Sequence, residues 1–364
     1  KIMIVFEICL FIYILYAFLL TIGKMSSIIR HRLLFVGIIF VLFVVTFRPL
    51  DVPDTQSYKD IFNIVDINRN YGFVIFGAKE YTTGCEYGFV IFIQFIKRFI
   101  SSDYRVFFLI VASIEILLCA RFIKKICGND VRKEAYLIYF TMPYFGYIYL
   151  CVIIRAGIAL AIALNAFIIK KKRNVWIKIL LYIIAFSFHR SVMIVLFVEA
   201  IYSLIPIFSK RIYWILWGVN GILVFVNTSR LYSLVLNGLN YVGKIFSFLR
   251  YQHYFSNVSI AGRGLTLRIV FFWIMGLLLL NSKNETSEEY NKYYNVYIVG
   301  LFVMNACSFI EGTSRIYNFF MIVLPILLTE RYLSNTGLIS NKYILWGIEL
   351  LYGVAGVAII IRLT

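Results

Sequence analysis

Charge, proline and histidine are all scarce in this chain. Only 15% of its 364 residues are charged, against the quarter that is usual in a soluble domain. No hydrophilic stretch is long enough to form a separate soluble domain, so the sequence reads as one integral unit over 1–364. Five prolines leave helices with few interruptions. The three histidines, His31, His189 and His253, stand too far apart for a zinc pattern, so no metal site is expected. Cys9, Cys85, Cys119, Cys127, Cys151 and Cys307 are scattered, mostly in apolar runs, and make neither a disulfide framework nor a CxxC pair. Walker, GxGxxG and GxSxG motifs are missing, which argues against ATP-driven chemistry and a covalent serine intermediate; no cofactor is expected.

What is present is apolar. Hydrophobic residues make up 62% of the chain and aromatic ones 18%, a composition suited to two membrane interfaces. Runs of about 20 apolar residues, the length that crosses a hydrocarbon core, recur along the whole length. They fall at about 3–22, 33–50, 104–123, 134–151, 153–169, 174–188, 191–207, 211–228, 265–281, 294–310, 315–329 and 343–362. The expected fold class is therefore all-α, a polytopic transmembrane protein of about twelve spans. The first run is long and closely followed by a second, so it reads as a span rather than a cleaved signal.

The formal net charge of +18 lies between apolar runs, not in a soluble basic domain. Nucleic acid is not expected as a partner; anionic lipids or an anionic substrate are. Four basic connections, at Lys24–Arg32, Lys124–Lys133, Lys170–Arg173 and Lys210–Arg211, set the cytoplasmic side. All four share it only if the run 86–100 does not cross, so 86–100 is expected to be an amphipathic or re-entrant helix at the outer leaflet. Long outer connections then lie at 51–85 and 229–264, and their aromatic residues predict folded caps. Lysine predominates on the inner face and arginine on the outer. The positive-inside rule does not explain outer arginines; either they grip an anionic substrate through the bidentate fit of guanidinium to phosphate, or some of them snorkel to lipid phosphates.

Several short stretches carry candidate chemistry. Arg48-Pro49 closes the second span, and Asp54-Thr55 is placed to cap a short helix that carries Tyr58; Asp54 is alternatively aimed at a substrate hydroxyl. Glu86-Tyr87-Gly88-Phe89 opens the 86–100 helix with a carboxylate at membrane depth. Arg155 starts an apolar helix rich in small residues and must face protein, water or an anion. Phe188-His189-Arg190-Ser191 forms a tight turn, and its histidine can serve as acid, base or phosphate donor. Glu311-Gly312-Thr313-Ser314-Arg315-Ile316-Tyr317 is another tight turn, where Arg315 and helix amides suit an anion. Arg263, between Gly262 and Gly264, lets backbone approach a ligand closely. Arg230, Arg250 and Arg268 are less specific.

Taken in order, Arg48…Asp54-Thr55…Tyr58, Glu86-Tyr87-Gly88-Phe89, Arg155 before an Ala-rich helix, Phe188-His189-Arg190-Ser191 and Arg315-Ile316-Tyr317 resemble the EpsG-type members of the Wzy polysaccharide polymerases. The resemblance implies a metal-independent, GT-C-like glycosyltransferase in a bacterial inner membrane, with its active site on the periplasmic face. It would polymerise O-antigen, capsule or exopolysaccharide repeat units. The growing glycan would pass from undecaprenyl pyrophosphate to a new lipid-linked unit, with a flippase and a chain-length regulator as partners. Arg155, Arg315 and Arg48 would hold the pyrophosphate. His189 would assist or act as base, with Asp54 or Glu86 as the rival base. Tyr58, Arg190, Arg263, Glu311 and Tyr317 would contact substrate. An O-antigen ligase or a polysaccharide flippase or transporter is the competing reading. A late outer loop of modest size and the absence of a clear internal repeat disfavour these.

Overall fold

The computed structural model describes residues 2–69, 85–170, 174–225, 267–280, 287–306, 313–334 and 342–363. Every regular element among the described residues is helical. Stretches Met3–Ile22, Ser27–Thr46, Tyr104–Cys127 and Ile316–Leu333 are long and apolar enough to cross a bilayer, and three shorter helices are also strongly apolar. Large apolar side chains stand exposed on these helices, among them Phe35, Phe43, Leu117 and Trp176. In a soluble protein such surfaces would be covered; here they are the faces lipid wets, and the chain is an α-helical membrane protein.

The helices cluster into two units, Lys1–Met193 with Lys342–Thr364, and Ile194–Asn341. The first contains α1 (Ile2–Ile22), α2 (Ser27–Thr46), α3 (Thr55–Ile64), α4 (Tyr87–Phe99), α5 (Tyr104–Cys127), α6 (Val131–Thr141), α7 (Ile154–Phe167) and α8 (Val175–Phe188). The second contains α9 (Met193–Leu204), α10 (Lys210–Phe225), α11 (Leu267–Leu280), α12 (Glu288–Ala306), α13 (Thr313–Met321) and α14 (Leu324–Ser334). The last helix, α15 (Lys342–Leu363), returns to the first unit.

In the first unit α7 is the central element, packed against α5 on one side and α8 on the other. Ala156 through Ala166 are all buried, and a helix apolar on every face belongs inside a bundle. Its alanines and Gly157 let neighbours approach closely. The expected span 134–151 has an irregular end. Beyond α6 the chain widens into π-helical turns at Met142–Gly146, which contain Pro143, and at Ile148–Val152. Proline supplies no amide for the regular ladder, and wider turns accommodate the gap. The turns stop at Ile153 (φ −109°, ψ 58°), and α7 begins at the next residue.

The 86–100 run is a helix, α4, with Phe89, Val90, Ile93 and Ile96 buried against the bundle and Ile91, Phe95 and Phe99 exposed. The 51–85 connection is a folded cap in its described part. Lys97 of α4 donates to the carbonyls of Phe62, Asn63 and Val65 at the end of α3, and Gln94 to those of Asp66 and Arg69. These bonds satisfy carbonyls that a helix end leaves open, and they fix α3 against α4.

The second unit is built on α12 and is rich in tyrosine and tryptophan. Trp217 of α10 and Trp273 of α11 stack with centroids 4.5 Å apart, and each indole N–H donates to the other's carbonyl. Buried Asn295 accepts from Tyr213, and Asn305 bonds Asn220. Such polar contacts hold helices together where lipid gives no hydrophobic drive. The run 315–329 is two helices rather than one. It breaks between Met321 and Leu324 because Pro325 clashes with the carbonyl four residues back.

Candidate functional site

Three sequence signals converge on one carboxylate. Glu86 occupies the N-cap position of α4, but its side chain does not bond the amides of that helix. It reaches away from α4 instead. Arg155 Nη1 donates to Glu86 Oε2 at 2.7 Å. His189 Nδ1 lies 3.1 Å from Oε1, within ion-pair distance but off the axis of a well-formed hydrogen bond. The backbone amide of Arg190 donates to the same oxygen at 3.3 Å.

Local structure explains each placement. Arg155 is the second residue of α7, so the break at Ile153 puts its side chain at the end of the bundle. His189 ends α8 in extended backbone (φ −159°, ψ 122°), and a short 3-10 turn, Arg190–Val192, follows. The expected tight turn is thus present, with the Arg190 amide turned toward Glu86. Gly88 lets α4 approach. A Cβ there would lie 2.2 Å from Ser187 Oγ and 2.9 Å from the Ser187 carbonyl, so only glycine fits this helix start onto the end of α8.

The walls are aromatic. The Arg155 guanidinium carbon is 5.9 Å from the ring centroids of both Tyr58 and Phe89. Phe89 makes edge contacts with Tyr58, Phe107 and Phe188. Walls of low polarity strengthen the charge interactions they enclose. The side chains are still reachable: Glu86 is 12% exposed, and Arg155 and His189 are each 21% exposed. Neither α3 nor α4 is among the helices apolar enough to cross a membrane. Burial would raise the Glu86 pKa. Contact with His189 and the charges of His189 and Arg155 outweigh it and hold the carboxyl down to about 2. Burial pushes the Tyr58 phenol up despite Arg155, so it stays protonated.

A carboxyl held low stabilises the fold only while ionised. Its contribution is whole above the ordinary value of 4.5 and is lost as pH falls toward about 2. Wild type is therefore expected to lose on the order of 2–3 kcal/mol across that window, while Glu86→Gln shows a flatter profile. Thermal unfolding of the detergent-solubilised protein between pH 6 and pH 3 is the measurement. Parallel profiles would rule the charge network out.

The other expected residues lie as follows. Arg48 is buried and holds the corner between α2 and α3: Nε donates to Thr55 Oγ1 and Nη1 to the Val45 carbonyl, both at 3.0 Å. Its guanidinium sits 3.9 Å over the Phe108 ring. Asp54 stands at the N-cap of α3 as its position suggests, yet its side chain does not cap the helix. Its backbone is left-handed (φ 62°), a conformation aspartate tolerates better than most residues. Arg315 and Tyr317 are on α13 in the second unit, where Tyr317 packs edge-on against Phe272. Arg263, Glu311, Arg230 and Arg250 lie outside the described residues, and Arg268 is the second residue of α11.

Sequence reasoning passed over one residue. Glu115 of α5 is 3% exposed, and its Oε2 has no hydrogen-bond partner. That oxygen lies 2.4 Å from where a Cβ on Gly157 would stand, so it rests on the first turn of α7, two residues beyond Arg155. Arg48 is the cation whose field reaches it. The available signal was a lone acid inside an apolar run, which by itself marks a position of interest in a membrane.

Two donors and an imidazole nitrogen around one partly reachable carboxylate form a seat suited to an anion with several acceptor oxygens. No curated protein and no solved structure matches the chain. Residues 31–361, nearly the whole length, match the family model for EpsG, and the chain belongs to the EpsG family.

Proposed function

We propose that the protein polymerises undecaprenyl-pyrophosphate-linked oligosaccharide repeat units of an O-antigen, capsule or exopolysaccharide. In this reading it is a metal-independent glycosyltransferase with about twelve spans, GT-C-like, forming one integral domain in a bacterial inner membrane, and it works on the periplasmic face. The growing glycan leaves its lipid pyrophosphate and joins the sugar of a new lipid-linked unit. A flippase and a chain-length regulator are its partners. Membership of the EpsG family supports the polysaccharide class.

The observation that carries the reading is the Arg155–Glu86 pair beside His189 and the Arg190 amide. Arg155, His189 and that amide hold the pyrophosphate and stabilise the charge that grows on it as the glycosidic bond breaks. Tyr58 lies beside the Arg155 guanidinium. Preorganised donors in an aromatic-walled site act without the reorganisation water would require.

Purified protein given lipid-linked repeat units is expected to make a ladder of longer glycans on lipid. A single product on a lipid A-type acceptor would identify a ligase instead. In cells, loss of the gene should leave single unpolymerised units at the surface; loss of all surface units would indicate a flippase.

A further inference from the structure

The Glu86 carboxylate sits among groups that each suit an anion. Its two oxygens take Arg155 Nη1 at 2.7 Å, His189 Nδ1 at 3.1 Å and the Arg190 amide at 3.3 Å. Those groups come from α7, the end of α8 and the turn after it, and none belongs to the helix that carries Glu86. The Glu86 side chain makes no bond to the helix it opens. The backbone carbonyl of Glu86 meanwhile accepts from the Val90 amide at 3.2 Å. The helix is therefore anchored by main chain, and the side chain can rotate out without unravelling it.

We propose that Glu86 is a displaceable placeholder: the substrate's diphosphate takes over its three partners, and the carboxylate so released is the base that accepts the proton of the attacking hydroxyl. The proposal rests on the reading above and adds the identity and timing of the base. A diphosphate offers more acceptor oxygens and more charge than one carboxylate, so the same donors favour it. The exchange also resolves a chemical conflict. While bound, the Glu86 carboxyl is held down to about 2 and is a poor base; once its cations turn to phosphate, it regains ordinary basicity or more. The acceptor oxygen attacks the anomeric carbon, and the bond from that carbon to the phosphate oxygen breaks. The leaving diphosphate keeps the electron pair, and the hydroxyl proton passes to Glu86. When diphosphate departs, Glu86 gives the proton to water and returns to Arg155.

The test uses the full chain in lipid nanodiscs, with inorganic pyrophosphate as the probe. Removing an internal competitor raises apparent affinity by the factor it was suppressing. Glu86→Gln is expected to bind pyrophosphate at least about tenfold more tightly than wild type while losing polymerisation. Arg155→Ala is expected to lose binding. Glu86→Asp keeps the charge on a shorter arm and serves if the glutamine variant misfolds; it is also expected to bind more tightly. Titration in buffers of different ionisation enthalpy between pH 4 and pH 5 should show proton uptake on binding in wild type that Glu86→Gln lacks. Equal or weaker binding in both Glu86 variants, with binding lost in Arg155→Ala, overturns the placeholder and leaves the anion seat standing. Unchanged binding in Arg155→Ala overturns the seat itself.

Discussion

Arg155→Ala is expected to reduce polymer by about a hundredfold or more, the scale of losing one preorganised donor at a developing anion, while single lipid-linked units persist. Arg155 both grips Glu86 and lies beside the Tyr58 and Phe89 rings. Its loss removes a donor and leaves Glu86 with His189 and a single amide. Arg155→Lys is expected to fail nearly as badly. An ammonium is a point charge and does not reproduce the planar fork that spans two oxygens. Gel profiles of surface glycan and turnover of lipid-linked units read the effect. Stability must be separated from chemistry, since removing one partner of a buried pair costs about 3–5 kcal/mol. The double variant Arg155→Ala/Glu86→Gln takes away the stranded charge and should recover protein level without recovering polymer. Normal chain length in Arg155→Ala would remove the site from the mechanism.

Gly157→Ala is expected to lower stability by about 1–3 kcal/mol, the usual result of forcing a methyl group into filled space, and to take activity with it. The added Cβ would stand 2.4 Å from Glu115 Oε2, 2.6 Å from the Tyr149 carbonyl and 2.7 Å from Glu115 Cδ. One of these obstacles is backbone, which cannot swing aside as a side chain can. Relief comes only by shifting the first turn of α7, and that turn carries Arg155. Adding Glu115→Ala removes two of the three clashes and should restore part of the lost unfolding temperature, with the Tyr149 carbonyl limiting the recovery. A Gly157→Ala protein as stable and active as wild type would show that α5 and α7 do not pack this closely.

Individual positions show how far a one-dimensional reading goes. The Phe188-His189-Arg190-Ser191 turn and the helix opening at Glu86-Tyr87-Gly88-Phe89 were legible because turns and helix starts are local events. Arg155 stood out because a cation in an apolar run needs a partner. The partner did not stand out: Glu86 is 69 positions away, and nothing in the spacing of two runs says which loops meet. The helix opening gave the position of Glu86, but not its partner, since its side chain serves Arg155 rather than its own helix. Asp54 stands where a cap belongs, yet its left-handed backbone leaves its side chain without the capping bond. The break at Pro325 was readable from the proline but was smoothed over by the hydropathy of 315–329. Glu115 passed unnoticed because a lone acid announces cost without announcing what lies against it.

Composition and local pattern were enough to show that this is a helical membrane protein, where its apolar stretches lie, and which cations and carboxylates are too costly to be idle there. Those properties follow from each segment's own transfer energy and hydrogen-bonding needs, which depend on near neighbours in the chain. That Glu86, Arg155, His189 and the Arg190 amide meet at one point, and that Glu115 rests on Gly157, came from the folded chain alone. Those pairings arise from close packing between helices remote in sequence, at Gly88 on Ser187 and Gly157 on α5. Contact at that range is set by shape, which no local pattern encodes.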